Sequence, residues 1–362
     1  VIPPYPNYGR ERDAWVVARR PIATRGNPWK PNAAFHEIEP DGAGGAATVS
    51  TVLLRNRACP WKCLMCDLWR HATDETVPLG ALAAQIDAAL RQLASDPAVR
   101  TALAPARWLK LYNGGSFFDP FAVPETDYTA LAAVAREFDR VIVECHPALV
   151  GPRVDRFLSM LRREPGRLST IQSLPAARSD RPERSGRPGP PVSPQLEVAM
   201  GLECIHPEVL PKLNKGMTLD SFRRAADRLR RHGVGLRAFV LVQPPFLTGP
   251  EAAVDWAVRS AAFAFEAGAR VVSLIPTRTG NGALDALAVQ GHFSPPTLRT
   301  FEQAMEEALA LGRGIVLADL WDLERFSACP RCFPARLERL RRANLEQRWL
   351  SKAGCPACGT EA

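Results

Sequence analysis

No run of about 18 consecutive apolar residues occurs in this 362-residue chain, which excludes an ordinary transmembrane helix. The first residues, Val1-Ile-Pro-Pro-Tyr-Pro-Asn-Tyr8, lack the basic n-region and apolar h-region of a secretory signal. A cytoplasmic, reducing location is therefore expected, and a disulfide framework is not. Lysine is scarce: Lys30, Lys62, Lys110, Lys212, Lys215 and Lys352 stand among 46 basic residues, and arginine supplies the rest. The net charge of +8 permits an anionic partner such as RNA and is equally that of a solvated basic surface. No solenoid-type repeat is present.

What the chain does have is length for one large α/β domain with a small appendage. Residues 1–46, rich in Pro, Gly and Arg, read as an irregular N-terminal extension. From there strands and helices alternate. The predicted strands are 48–54, 108–112, 140–145, 195–200, 236–242 and 270–275, with a short extra one at 314–318. Predicted helices cover 79–93, 128–138, 219–232, 251–267 and 296–311. The stretch 175–194 holds six Pro, four Arg and two Gly and reads as a mobile surface insertion. Such alternation implies a parallel sheet with right-handed crossovers: an α/β fold, an open partial (β/α)6 barrel of TIM-like type. Reactive loops are then expected at the C-terminal strand ends.

Three cysteines fall within eight residues, Cys59-Pro-Trp-Lys-Cys63-Leu-Met-Cys66, directly after the first predicted strand. Three thiolates hold three irons of a [4Fe–4S] cluster and leave the fourth iron open to a reactant. A structural zinc site would need a fourth ligand, for which His71 is the nearby candidate. Near the end, Cys329-Pro-Arg-Cys332 and Cys355-Pro-Ala-Cys358-Gly359 are two Cys-x2-Cys pairs separated by 22 residues. That pattern marks a C-terminal metal-binding extension (326–362), holding zinc or an auxiliary iron–sulfur cluster. Between the pairs, 336–348 reads as an Arg-rich helix, with Arg339, Arg341, Arg342 and Arg348 placed for phosphates or for solvent. Cys145 and Cys204 read as small buried side chains.

The triad's Cys-x3-Cys-x2-Cys spacing resembles the signature of the radical S-adenosylmethionine (SAM) superfamily. The resemblance implies that Cys59, Cys63 and Cys66 bind a [4Fe–4S] cluster whose open iron chelates SAM. It also implies a core over 47–325 and an electron donor such as flavodoxin or ferredoxin. Asn113-Gly114-Gly115-Ser116, after the second strand, resembles the family's Gly-Gly-Glu motif. Gly114, Gly115 and Ser116 are thus expected to seat SAM, with Ser116 where the family has an acid and backbone carbonyls or Asp119 left to supply part of that interaction. Glu144 and Glu203, at later strand ends, and Lys215, leading into the helix that begins near Leu219, are candidates for cofactor, substrate or catalytic contact. His146 and His206, each before a proline, read as loop residues. Gln243-Pro-Pro-Phe246 is expected to wall the adenine, with Arg278 and Asn281 as substrate contacts.

A closer likeness runs through Gly201-Leu-Glu-Cys-Ile-His-Pro-Glu-Val-Leu210, Leu213-Asn-Lys-Gly-Met-Thr218, Val240-Leu-Val-Gln-Pro-Pro-Phe246 and Gly291-His-Phe-Ser-Pro-Pro296. With Cys63-Leu-Met-Cys66-Asp67, these segments resemble the archaeosine-synthesis radical SAM proteins and, more distantly, the elongator-type ones. That likeness implies a radical SAM enzyme acting on a modified nucleoside, free or as a transfer RNA base. Two rivals stand beside it. One is a radical SAM enzyme of a peptide or small metabolite with an auxiliary cluster in the tail. The other is a non-catalytic, zinc-stabilised RNA-binding protein.

Overall fold

Strands form where apolar, β-branched runs meet, and β5 is buried at all but its first residue. The computed structural model describes residues 2–95, 106–162, 193–350 and 355–358. In chain order the elements are α1 (Gly9–Val17), β1 (Ala33–Pro40), β2 (Ala46–Leu54), α2 (Ala81–Ala94) and β3 (Ala106–Asn113). Next come α3 (Tyr128–Ala135), β4 (Arg140–Glu144), α4 (Pro152–Arg162), β5 (Gln195–Glu203), the one-turn α5 (Val209–Lys212) and α6 (Leu219–Arg231). The series ends with β6 (Gly235–Val242), α7 (Pro250–Glu266), β7 (Val271–Pro276), α8 (Ala283–Val289), α9 (Leu298–Ala310), β8 (Ile315–Ala318) and α10 (Phe333–Glu346).

The eight strands form one sheet in the order β1 to β8. β1 runs antiparallel to β2, and every later pairing is parallel. This is the expected open α/β barrel, with one more strand at its start. Each crossover helix lays its apolar stripe on the outside of the sheet. In α6 the stripe is Phe222, Ala225, Ala226 and Leu229, and the start is set by a reciprocal cap between Thr218 and Ser221. The segment 175–192 of the Pro- and Arg-rich insertion lies outside the described residues.

Two expectations need correction. Residues 1–46 are not irregular throughout, because they carry α1 and β1. Pattern reading missed β1 because its charges face inward: Glu37 and Glu39 point to the barrel interior, where a sequence pattern places apolar residues. α1 buries two adjacent residues, Trp15 and Val16, and so shows no helical stripe. α4 and α8 are also additional to the helices read from sequence.

The interior is part apolar and part ionic. Ala47, Val49, Trp108, Ile142 and Ala199 fill one part, with Tyr112 and Phe239 against them. Beside them Arg237 of β6 donates two hydrogen bonds to Glu39 of β1 (2.7 and 3.1 Å) and one to Glu197 of β5 (2.8 Å). Lys110 of β3 joins Glu39 at 2.5 Å and Glu37 at 2.6 Å. Burial would disfavour every one of these charges. Their mutual attraction outweighs it, holding the Glu39 carboxyl far below and the Lys110 ammonium above their usual ranges.

Removing one partner from such a network leaves the others buried and uncompensated. Glu39→Ala should therefore lower the unfolding free energy by about 3–5 kcal/mol, read from denaturant midpoints. A loss below about 1 kcal/mol would show that the network does not hold the barrel together.

Candidate functional site

The C-terminal strand ends gather the predicted site residues at one mouth. The cysteine loop leaves β2, Gly114 to Ser116 follow β3, Glu144 ends β4 and Glu203 ends β5. Lys215 stands between α5 and α6, and Asn281 follows β7.

The cysteine loop is held from several sides. Cys59 N–H donates to Gly114 O at 3.2 Å, and Leu64 N–H to Leu213 O at 2.9 Å. Asn281, buried, donates from Nδ2 to Leu64 O at 2.8 Å and to Cys66 O at 3.4 Å. Asn214 Nδ2 donates to Lys62 O at 2.9 Å, and Trp69 Nε1 to Cys66 O at 3.0 Å. A loop whose backbone groups are satisfied in this way can keep a defined course without secondary structure of its own. Burial pushes the Cys59 and Cys63 thiols up to about 11 and the Cys66 thiol up to about 12, while Lys215 pulls the first two back. Metal binding at such thiols must displace protons.

The glycine pair has a packing role that its motif reading did not include. A methyl group on Gly115 would stand 2.6 Å from Arg57 O and 3.0 Å from the Ala122 side chain. One on Gly114 would stand 3.0 Å from the Ala72 side chain and 3.1 Å from Leu68 O. Both glycines therefore let the β3 end touch the cysteine loop directly. Beside them the Asn113 Oδ1 atom is buried with no hydrogen-bond partner. Ser116 Oγ accepts from His146 N–H at 2.9 Å.

Glu203 and Lys215 meet as a buried pair, Nζ to Oε1 2.8 Å. Glu203 sits at a register shift of β5 with a positive φ of 67°. Gly201 makes the space, since a methyl group there would lie 2.0 Å from Glu203 Oε1 and 2.6 Å from Lys215 Nζ. Glu144 accepts from Asn113 N–H at 3.1 Å through Oε2. Burial pushes its carboxyl up to about 7, against the pull of that N–H and of Lys215.

One aromatic contact escaped the sequence reading. Trp61, inside the triad, stacks on the His146 ring with centroids 3.7 Å apart and an interplanar angle of 11°. His146 Nε2 is 2.9 Å from Lys215 O, and burial with the nearby Lys215 charge lowers its pKa to about 3, so it is a neutral stacking ring. His146 is thus a packed member of the mouth, whereas it had read as a plain loop residue. Its partner lay 85 positions earlier in sequence, and no local pattern links the two.

Other expected contacts are taken up elsewhere. Arg278 pairs with Asp319 at 2.8 Å, and Gln243 Nε2 donates to Ser294 O at 2.8 Å. The Phe246 ring packs on Tyr5 (5.3 Å) and His292 (5.6 Å), so it supports the N-terminal segment. His206 lies against Trp256 at 4.4 Å.

No family model matches the chain. It is 25% identical to archaeosine synthase subunit beta of Methanosarcina acetivorans over 270 residues, 72% of this chain and 66% of that protein. It is 21% identical to an uncharacterized protein of Methanocaldococcus jannaschii over 266 residues, 71% of this chain and 63% of that one. The chain thus spans a little under two thirds of the length of the curated relatives it matches. Among solved structures it is similar to coproporphyrinogen III oxidase from Escherichia coli, a radical SAM enzyme. The TM-score is 0.37 at 15% identity, over 84% of this chain and 56% of that one. The chain is similar to radical SAM proteins.

The raised Glu144 pKa has a sign that can be checked. Between the usual carboxylate range and about pH 7 the folded chain holds a proton that the unfolded chain releases. Wild-type stability therefore falls as pH rises through that window, and Glu144→Gln escapes the fall. The unfolding free energy of the variant relative to wild type should rise by roughly 1–3 kcal/mol between about pH 4.5 and about pH 8. A difference that stays flat with pH would show that Glu144 titrates normally.

Proposed function

We propose that this protein is a radical SAM enzyme whose substrate is a modified nucleoside, free or within RNA. The observation that carries the reading is the cysteine loop at the C-terminal end of the first parallel strand, fixed by hydrogen bonds from the β3 and β7 ends and from the residue after α5. In this reading Cys59, Cys63 and Cys66 hold a [4Fe–4S] cluster. The nucleoside is inferred from the likeness to archaeosine synthase subunit beta.

The residues present fit the group. Three thiols on one short loop would leave one position of a four-iron cluster without a protein ligand. The Asn113 Oδ1 atom, buried and unpaired, is an acceptor awaiting a donor such as an amino group. When bound, the cluster and SAM supply one-electron cleavage of a carbon–sulfur bond. The chain's own part is to bind, orient and exclude water. Lys215, kept protonated by Glu203, offers a fixed positive charge to a carboxylate. Glu144, poised near neutrality, can donate or accept a hydrogen bond at a ligand hydroxyl. Trp61 and His146 close one side of the mouth with a flat, uncharged stack.

Two assays test this. After anaerobic reconstitution, the chain should hold about four irons attributable to the triad and release 5′-deoxyadenosine from SAM on reduction. Cys59→Ser, Cys63→Ser and Cys66→Ser should each abolish that product. Gly115→Ala, which forces the β3 end off the cysteine loop, should cut it by about tenfold or more. Wild-type protein that holds iron but yields no 5′-deoxyadenosine, alone or with nucleosides, would refute the reading.

A further inference from the structure

The two C-terminal cysteine pairs flank α10: Cys329 and Cys332 lie just before it, and Cys355 and Cys358 come after it. Their four sulfurs all lie within 4.8 Å of one another, and the Cys332 and Cys358 sulfurs are 3.9 Å apart. Four thiolates at about 2.3 Å from one tetrahedral zinc ion stand about 3.8 Å from each other. Around an iron–sulfur cube each thiolate caps a different iron, so the four sulfurs spread much further apart than on a single ion. Among the described residues this is the group of three or more ligand side chains drawn to one point, and the triad at the barrel mouth is not such a group.

We propose that Cys329, Cys332, Cys355 and Cys358 hold a single structural zinc ion, and that this ion staples α10 over the open seam of the barrel. Four protein ligands complete a tetrahedron and leave no position for a reactant, so the site is structural. The sheet ends at β8 with a free edge, and α10 packs against both β8 and β1, the two edges of the open barrel. It covers the β8 edge with side-chain amides in place of a ninth strand. Asn344 Oδ1 accepts from Ala318 N–H at 2.7 Å, and Asn344 Nδ2 donates to Ala318 O at 3.0 Å. Gln347 treats Val316 in the same way, at 2.8 and 2.9 Å. Asn344 in the last turn of α10 and Gln347 just past its end thus match two residues two apart on a strand, and the edge is closed to other chains. At the other end of α10, Arg336 and Arg339 bond the buried Glu302 of α9. The ion ties the chain entering α10 to the chain leaving it, so the helix cannot lift from the seam without unlinking a metal site.

This inference does not depend on the chemistry of the triad. Full-length protein prepared without oxygen should contain about one zinc per chain beside the triad's about four irons. X-ray absorption at the zinc edge should show sulfur neighbours alone, at about 2.3 Å. Cys355→Ser with Cys358→Ser should lower zinc by about tenfold or more and leave the iron unchanged. Amide hydrogen exchange at Val316 and Ala318 should speed up by about tenfold or more once zinc is lost. If the double variant does not fold, zinc removal from the wild-type chain by a chelator gives the same readout. About eight irons without zinc, or a single extra iron without sulfide, would overturn the zinc assignment. Unchanged exchange in zinc-free protein would overturn the staple. A chain with zinc and no triad iron would sink only the enzymatic reading.

Discussion

Arg237 sits with 2% of its surface exposed between carboxylates from β1 and β5, and that contact sets the shape of the molecule. β1 and β6 have four strands between them in the sheet, so a flat sheet could not bring Glu39 to Arg237. The two-pronged bond forms only when the sheet curls. Once formed, it cannot be relaxed without leaving the two terminal nitrogens of a buried guanidinium short of partners. Lys110 adds a second cation to the same carboxylate. The barrel is therefore held in part by a compact set of charges in its interior, while its outer face is packed conventionally by helices.

At the C-terminal strand ends the interior turns from this network to groups with unmet needs. Glu144 is poised near neutrality, Asn113 holds an unsatisfied oxygen, and Lys215 is paired on one side only. Glycines at 114, 115 and 201 give up side chains where backbone or charged neighbours press closest. The cysteine loop is rigid because its carbonyls and amides are claimed by Asn281, Asn214, Trp69, Gly114 and Leu213. That arrangement suits a site in which three thiols act together, since a small displacement of any one would break the set.

Much of this was legible beforehand because it rests on local rules. β-branched runs between turn residues named the parallel strands to within a residue or three, and the alternation with helices implied the barrel. The triad and the tail pairs stood out because metal ligands must recur at short spacings. What stayed hidden was non-local. β1 looked irregular because inward-facing Glu37 and Glu39 leave it without apolar alternation, and only partners on β3 and β6 make an inward carboxylate stable. His146 and Trp61 share no sequence pattern, and Asn281 looked like a substrate contact because its two carbonyl partners lie more than 200 positions away.

The sequence alone determined the order of the parallel strands, the loop that carries three thiols and the four thiols of the tail, since each follows from spacing along the chain. Tertiary structure decided which carboxylates face inward, which glycines are contact points and which side chains hold the loop. It also decided that the tail sulfurs converge on one point beside the barrel's seam. Those outcomes depend on distances between residues far apart in sequence. Burial and pairing fix such distances only when the whole sheet has curled.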